Sequence, residues 1–197
     1  MNFDFSSEIK LENQRVLLRP LNAQDFNSLL PIATANEMLL QYFPAGPIHS
    51  PELLQKYIDD ALQERSIAFR YPLVIFDKEK NTFAGSTSFA NVSNKDKRLE
   101  IGWTWLGKAF QQSGLNRNGK FLMLQYAFEY LEFERVEFKA DERNIQSRNA
   151  IEKIGGKLEG IFRSHTLMYD GHRRNTVYYS ILKHEWQDKK NTVFNKI

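Results

Sequence analysis

The segment QQSGLNRNGK, residues 111–120, contains two glycines and stands directly before the strongest helical pattern of the chain. That pattern predicts a helix over Arg117–Glu132, with Phe121, Leu124, Phe128 and Leu131 along one face. A glycine-bearing turn at a helix N-terminus directs unpaired backbone N–H groups and the positive end of the helix dipole at one point. Such a point suits phosphate or pyrophosphate. The segment therefore predicts an anion-binding turn.

The residues before this turn predict helices followed by a β-meander. The predicted elements are a strand over Gln14–Arg19, a helix capped by Asn22 and Asp25 that stops near Pro31 or shortly after it, a short helix over Asn36–Phe43, and a helix that begins at Ser50 and Pro51. Three segments then alternate as antiparallel strands, Tyr71–Phe76, Phe83–Phe89 and Leu99–Leu106.

The residues after the turn predict a strand–helix unit and a closing hairpin. The predicted elements are a strand through Val136, Phe138 and Ala140, a helix from Asn144 to Ile154 ended by Gly155, and strands over Leu158–Met168 and Asn175–Leu182 around the Asp170-Gly171 turn. No linker or repeat interrupts this order. The sequence therefore predicts a single α+β domain over residues 1–197.

Composition excludes several classes of protein. With 42% hydrophobic, 26% charged and 13% aromatic residues, the 197-residue chain is typical of a soluble globular domain and not of a disordered one. The absence of cysteine excludes a disulfide scaffold, thiolate metal sites and a cysteine nucleophile, and it makes the cytoplasm the natural location. We expect no signal peptide and no membrane partner, because the longest apolar runs are far shorter than the ~20 residues that span a bilayer.

The charges and histidines give no strong sign of nucleic acid or metal. A formal net charge of +3 is compatible with any anionic ligand, and its dispersal makes nucleic-acid binding the weakest of the functional alternatives. The four histidines have no metal-ligand spacing, so no metal is expected. Gly114, Gly119 and Lys120 match most of a nucleotide P-loop. However, Phe121 stands where the magnesium-binding hydroxyl is needed, so this match is attributed to chance.

The pattern Q-x-x-G-x-N at residues 111–116 resembles the Q/R-x-x-G-x-G/A turn of the GNAT acyltransferases. Its surroundings are also similar to the RimJ/RimL-type branch of that superfamily: the strand EIGWTWL (100–106) before it, Asn144 and Ser147 after the next strand, and IEKIG (151–155). LRPL (18–21), YSIL (179–182) and Glu185-Trp186 extend the resemblance over roughly residues 12–187.

The resemblance implies a fold and a cofactor site. The fold is a central mixed, mostly antiparallel sheet of about seven strands flanked by helices, with a splayed strand pair that holds the cofactor. The cofactor is acetyl-coenzyme A (acetyl-CoA), and the family turn wraps its pyrophosphate. The cofactor-binding residues implied here are Gln111, Gln112, Ser113, Gly114, Leu115, Asn116 and Arg117 in the turn, with Trp105 and Leu106 on the strand and Asn144 on the following helix.

Three departures from the family pattern stand out. Asn116 replaces the usual Gly or Ala, and we expect the turn to survive because asparagine tolerates a positive φ. Gly156 replaces a common aromatic residue after Gly155. Ile151 occupies the place where many relatives carry the tyrosine that protonates the departing thiolate.

Acyl transfer to an amine needs a neutral amine, a stabilised oxyanion and a leaving thiolate. Glu100 is our candidate base, acting through water; the alternative is a surface carboxylate facing Lys97 or Arg98. Ser147 is the hydroxyl that could protonate the thiolate; the alternative is an exposed serine in the first turn of a helix. Arg117, Lys120 and Arg148 are further candidates, as cations for the phosphates of the coenzyme.

The function predicted on this basis is N-acetyl transfer directly from acetyl-CoA to a primary amine, either a protein N-terminus or a small amine. Asn36–Ser50 and Thr166–Arg173 are expected to shape the acceptor site. A non-catalytic sensor of acyl-CoA remains an alternative at this point, because the usual tyrosine is absent. The family resemblance also makes a homodimer an expectation.

Overall fold

The computed structural model describes residues 1–197 and contains one eight-stranded sheet. Its strands are β1 (Leu11–Glu12), β2 (Val16–Pro20), β3 (Arg70–Asp77), β4 (Thr82–Ser93), β5 (Arg98–Leu106), β6 (Arg135–Asp141), β7 (Lys157–Leu167) and β8 (Arg173–Leu182). The helices are α1 (Phe26–Thr34), α2 (Pro51–Ser66), α3 (Leu115–Gln125), α4 (Ile145–Lys153) and α5 (Lys183–Thr192). The α+β class is confirmed, and the strand beyond the expected seven is the two-residue β1.

The strand order is β1-β2-β3-β4-β5-β6-β8-β7, and every neighbouring pair is antiparallel except β5 and β6. Because side chains alternate along a strand, the two faces of the sheet carry separate cores. A cluster of 31 buried residues includes Leu99, Ile101 and the apolar face of α3, whereas a cluster of ten lies beneath α1 and α2. Glu100, between Leu99 and Ile101, therefore faces the α1–α2 side.

The parallel pair β5–β6 separates after only three paired residues. Arg98, Leu99 and Glu100 pair with the start of β6, but residues 101–106 of β5 and 138–141 of β6 have no partner across this gap. The splayed strand pair expected from the family is thus present. It leaves backbone polar groups of both strands facing an open gap.

Two expected helices differ in the structure. Residues 36–43 form successive turns, because the Asn36 side chain accepts a hydrogen bond from the Met38 N–H and Leu40 adopts a φ of 67°. The helix expected over 117–132 begins earlier, at Leu115, and changes to a π-helical turn over Tyr126–Tyr130. The local caps at Asn22, Ser50 and Asn144 form as predicted. None of the helices is long and apolar enough to cross a bilayer.

Candidate active site

The turn before α3 presents backbone N–H groups that the protein itself does not use. Gly114 is the N-cap residue of α3, with a φ of 82°, and no side chain caps the helix. The N–H groups of Gln112, Ser113, Gly114, Asn116 and Arg117 donate to no protein acceptor; the Leu115 N–H makes only a long bond of 3.4 Å to Ser113 Oγ. These free donors lie at the positive end of the α3 dipole, which is the arrangement that binds an anion.

The left-handed conformations of this turn fall on Gln112 (φ 58°) and Gly114 (φ 82°). Asn116 lies inside the first turn of α3 and needs no positive φ, so the reason given for its tolerance was wrong. A Cβ placed on Gly114 would meet no atom within 4 Å. Space therefore does not require glycine at this position, but the backbone conformation favours it.

The Gln111 side chain connects the three segments that the sequence singled out. Its Nε2 donates to the Leu106 carbonyl at 3.0 Å, and its Oε1 accepts from Gln146 Nε2 at 3.0 Å. Leu106 ends β5, and Gln146 lies in the first turn of α4. Gln111 therefore fixes the turn between the splayed strand and α4, and both of its polar side-chain atoms are occupied by the protein.

The basic side chains proposed for the coenzyme phosphates are engaged elsewhere. Arg117 donates to the Val193 carbonyl near the C-terminus, which leaves only its backbone N–H at the turn. Arg148 donates to Tyr179 Oη and to the Glu142 carbonyl, both at 3.1 Å. Both guanidinium groups thus have partners within the protein, and their contact with the coenzyme phosphates stays a prediction.

Lys120 is buried, with only 6% of its surface exposed, so its ammonium does not point into solvent at the turn. Its Nζ donates to Thr104 Oγ1 at 2.6 Å and to Thr87 Oγ1 at 3.1 Å, and no carboxylate pairs with it. Thr104 belongs to the β-bulge where the pairing of β5 with β4 shifts register. The Lys120 ammonium thus stabilises the β-bulge through hydrogen bonds to one threonine on each of its two strands. Burial lowers its pKa to about 7.

The low pKa of Lys120 predicts a pH-dependent stability. Between about pH 7 and pH 10 the unfolded chain binds a proton that the folded chain does not, so the free energy of unfolding should rise with pH by about 1.4 kcal/mol per unit. Lys120→Met removes this group. Urea unfolding at pH 7, 8 and 9 should therefore show a steeper rise for the wild type than for the variant. Parallel curves would contradict the assignment.

Glu100 lies on the α1–α2 face at the point where β5 and β6 separate, and it is 4% exposed. The sequence suggested Lys97 or Arg98 as its neighbours, but its partners are Lys139 Nζ on β6 and Asn91 Nδ2 at the bend of β4, each 2.6 Å from Oε2. Oε1 accepts no hydrogen bond and lies beside Gly102, where a Cβ would approach it to 3.0 Å. One carboxylate oxygen is therefore free.

The Glu100–Lys139 pair bridges the gap between the separating strands. Burial acts to lower the pKa of Lys139, but the Glu100 carboxylate outweighs it, and the pKa lies above its usual value. Lys139 is therefore charged at neutral pH and forms an ion pair with Glu100 across the gap. Sequence reasoning missed Lys139 and Asn91 because only the register of distant segments brings them to Glu100.

The first turn of α4 lies on the opposite side of the gap from Glu100. Asn144 Oδ1 caps the helix by accepting from the Ser147 N–H at 3.0 Å, while the Ser147 hydroxyl makes no hydrogen bond to the protein. Ile151, one turn further along the same face, is buried in the larger core. Gly156 packs directly on it, since a Cβ there would lie 2.6 Å from Ile151 Cγ2. Ser147 therefore supplies a hydroxyl on this face of α4 that is free to bind a ligand.

The two segments expected to shape the acceptor site meet on the Glu100 side of the sheet. Arg174 Nη1 donates to the Tyr42 carbonyl at 3.3 Å, and the Arg143 guanidinium lies 5.6 Å from the centre of the Tyr42 ring. Nearer the hairpin tip, a Cβ on Gly46 would lie 2.8 Å from the Tyr169 ring. The loop between α1 and α2 is therefore fixed against the β7–β8 hairpin.

Two hollows on the surface lie away from the predicted site residues. Two open hollows of about 510 Å³ each lie between β1 and α3 and beside the C-terminal end of α2, and neither contains a predicted site residue. No three histidine, aspartate or glutamate side chains gather into a possible metal site.

Comparison with known proteins identifies the family. Residues 15–157 match the model of the acetyltransferase (GNAT) domain, which is most of the chain. The chain belongs to the GNAT family and is an acetyl-CoA-dependent N-acetyltransferase.

Particular relatives agree with this family. YdaF of Bacillus subtilis strain 168, named provisionally as a ribosomal N-acetyltransferase, is 29% identical over 182 residues, covering 90% of this chain and 97% of YdaF. A GCN5-related N-acetyltransferase from Brucella melitensis superposes with a TM-score of 0.90 at 25% identity, covering 98% of this chain and 86% of that one. Mycobacterium smegmatis RimJ in complex with CoA-disulfide has the same fold, with a TM-score of 0.72 at 19% identity over 90% of this chain and 88% of that one.

Proposed function

We propose that the turn over residues 111–117 binds the pyrophosphate of acetyl-CoA, and that the acetyl group passes directly to a primary amine. The observation that carries this proposal is the set of backbone N–H groups at the turn that have no protein acceptor. An anion with several oxygens can satisfy several such donors at once. The side chains around the turn add little positive charge, so the backbone N–H groups would make most of the contacts with the pyrophosphate.

The gap between β5 and β6 is the proposed place for the pantetheine arm and the thioester. Residues 101–106 of β5, including Trp105 and Leu106, face this gap without a strand partner. An extended arm could pair with their backbone groups as a missing strand would. Asn144 would contribute its Nδ2, since its Oδ1 is occupied by the helix cap.

Glu100 and Ser147 approach this gap from opposite faces of the sheet. We assign to Glu100 the role of base, acting through a water on the free Oε1, because an ion-paired carboxylate is a weak direct base. Ser147 would donate its proton to the departing thiolate and regain a proton from solvent. The acceptor must be a neutral amine when it attacks, so its ammonium proton would pass through this water to Glu100.

Ser147→Ala should lower kcat about 10-fold while leaving the KM for acetyl-CoA within about twofold, because the hydroxyl would act on the thiolate and not on the bound coenzyme. Steady-state kinetics with saturating acceptor measure both constants. Ser147→Thr keeps a hydroxyl and serves as the control. An unchanged kcat in Ser147→Ala would make Ser147 a structural residue of the first turn of α4.

The experiment that tests the proposed function is release of free coenzyme A thiol from acetyl-CoA on a panel of amines, with N-terminal peptides, polyamines and small amines as separate arms. We expect turnover with at least one arm and an acetylated product by mass spectrometry. Tight acetyl-CoA binding with no turnover on any amine would contradict the proposal and favour a sensor. Cytoplasmic location and a homodimer stay predictions of the sequence.

A further inference from the structure

The acceptor side of the gap carries a cluster of charged side chains on one face of the sheet. In the β6–β8 pairing, Lys139 is opposite Tyr178 and Asp141 is opposite Thr176. Residues opposite one another in antiparallel strands share a face, and alternation adds Arg174 to that face. Glu100 joins the cluster through its ion pair with Lys139.

Each carboxylate of this cluster already has a cationic partner. Glu100 pairs with Lys139 at 2.6 Å, and Asp141 accepts from the Arg143 Nε at 3.0 Å and from its Nη2 at 2.8 Å. Arg174 has no carboxylate within 4 Å; its contacts are to Thr176 Oγ1 and to the Tyr42 carbonyl. Arg174 is therefore the cation of this cluster that has no carboxylate partner.

The free part of Arg174 is its Nη2, which makes no hydrogen bond to the protein. The guanidinium is half-buried, and burial lowers its pKa more than Asp141 and Glu100 raise it, although arginine stays charged. A half-buried guanidinium with free N–H donors is well suited to a carboxylate, which can accept two parallel hydrogen bonds.

We propose that Arg174 selects acceptor amines that carry a carboxylate, which it binds while the amine lies near Glu100. This inference rests on the proposed function and names its substrate class. The unpaired guanidinium would at the same time repel polyamines, because like charges at a binding site repel one another. The Tyr42 loop, fixed to Arg174, would close the site around such an acceptor.

The test compares matched acceptors with Arg174→Gln. The acceptors are Ser-Asp-amide against Ser-Asn-amide, free serine against serinamide, and spermidine; the first two pairs distinguish a side-chain carboxylate from an α-carboxylate. In the wild type we expect kcat/KM to favour the carboxylate in at least one pair by about 10- to 100-fold, and to be lowest for spermidine. Arg174→Gln should abolish this preference and leave neutral acceptors within about threefold.

Arg163→Gln is the matched control. Arg163 is an exposed residue of β7, outside the segments expected to shape the acceptor site, and its side chain makes no hydrogen bond or ion pair. It should keep the preference. Equal losses on charged and neutral acceptors in Arg174→Gln, or a wild-type preference for spermidine, would overturn the inference while leaving the proposed function intact.

A binding measurement distinguishes failure of the proposed function from failure of the inference about Arg174. If no amine is acetylated, the proposed function fails, and the inference is read from calorimetry of the coenzyme A-loaded protein with N-acetyl-Ser-Asp-amide and N-acetyl-Ser-Asn-amide. We expect tighter binding of the carboxylate peptide in the wild type and equal binding in Arg174→Gln. Equal binding of the two peptides by the wild type would overturn it.

Discussion

Gly114→Asp should raise the KM for acetyl-CoA about 100-fold while leaving kcat at saturating coenzyme within a few fold. The new carboxylate would stand among the free N–H groups of the turn, where it would compete for the donors and repel the pyrophosphate. The acceptor side of the gap is not touched, so the chemical step should continue once the coenzyme is bound. Steady-state kinetics with varied acetyl-CoA measure the effect.

Gly114→Asn is the matched control for this variant. Asparagine and aspartate have almost the same size, and both tolerate the left-handed φ of 82° found at Gly114. A Cβ has open space there, so neither side chain should distort the fold. We expect only a few-fold rise in KM for Gly114→Asn. Equal effects of the two substitutions would show that shape and not charge matters, and an unchanged KM in both would remove the turn from the coenzyme site.

Glu100→Gln should lower kcat about 100- to 1,000-fold at pH 7, the usual range for loss of a general base. The KM for acetyl-CoA should change little, because Glu100 faces away from the larger core and the pyrophosphate turn. With a peptide acceptor whose α-amino pKa is about 8, the defect should shrink between pH 7 and pH 9, as more of the amine becomes neutral in solution. The measurement is a pH–rate profile of both proteins.

Lys139→Met separates loss of the base from loss of the ion pair. It retains the Glu100 carboxylate and its hydrogen bond from Asn91. We expect kcat to fall less than about 10-fold, below the range for a lost general base. A loss in Lys139→Met as large as that in Glu100→Gln would make the ion pair, and not the base, the reason for the defect. No change in Glu100→Gln would remove Glu100 from catalysis.

The sequence predicted those parts of the molecule that local interactions determine. Asn22 with Asp25 and Asn144 cap their helices as their side chains suggested, because a cap contacts residues two or three positions away. The meander and the closing hairpin follow from alternation and short turns in the same way. The helix predicted over Asn36–Phe43 was wrong for a related reason. The Asn36 side chain accepts a hydrogen bond from the backbone of its own segment, and this interaction outweighs the helical periodicity.

The parts that the sequence could not predict depend on the register of distant strands. Glu100 meets Lys139 only because β5 and β6 pair for three residues and then separate. Lys120 was assigned to the phosphates from its place beside the turn, yet α3 directs it beneath the β5 bulge. Arg174 and Tyr42 stand far apart in the chain and meet through the hairpin. Neither the hydrophobic periodicity nor any motif of the two segments indicated this contact.

The measurement that tests the account most directly is a crystal structure of the wild-type protein soaked with acetyl-CoA. We predict pyrophosphate oxygens within about 3.2 Å of the backbone nitrogens of Gln112, Ser113, Gly114, Asn116 and Arg117, with the thioester between β5 and β6. A coenzyme bound elsewhere, or bound here through side chains while these nitrogens stay unpaired, would contradict it.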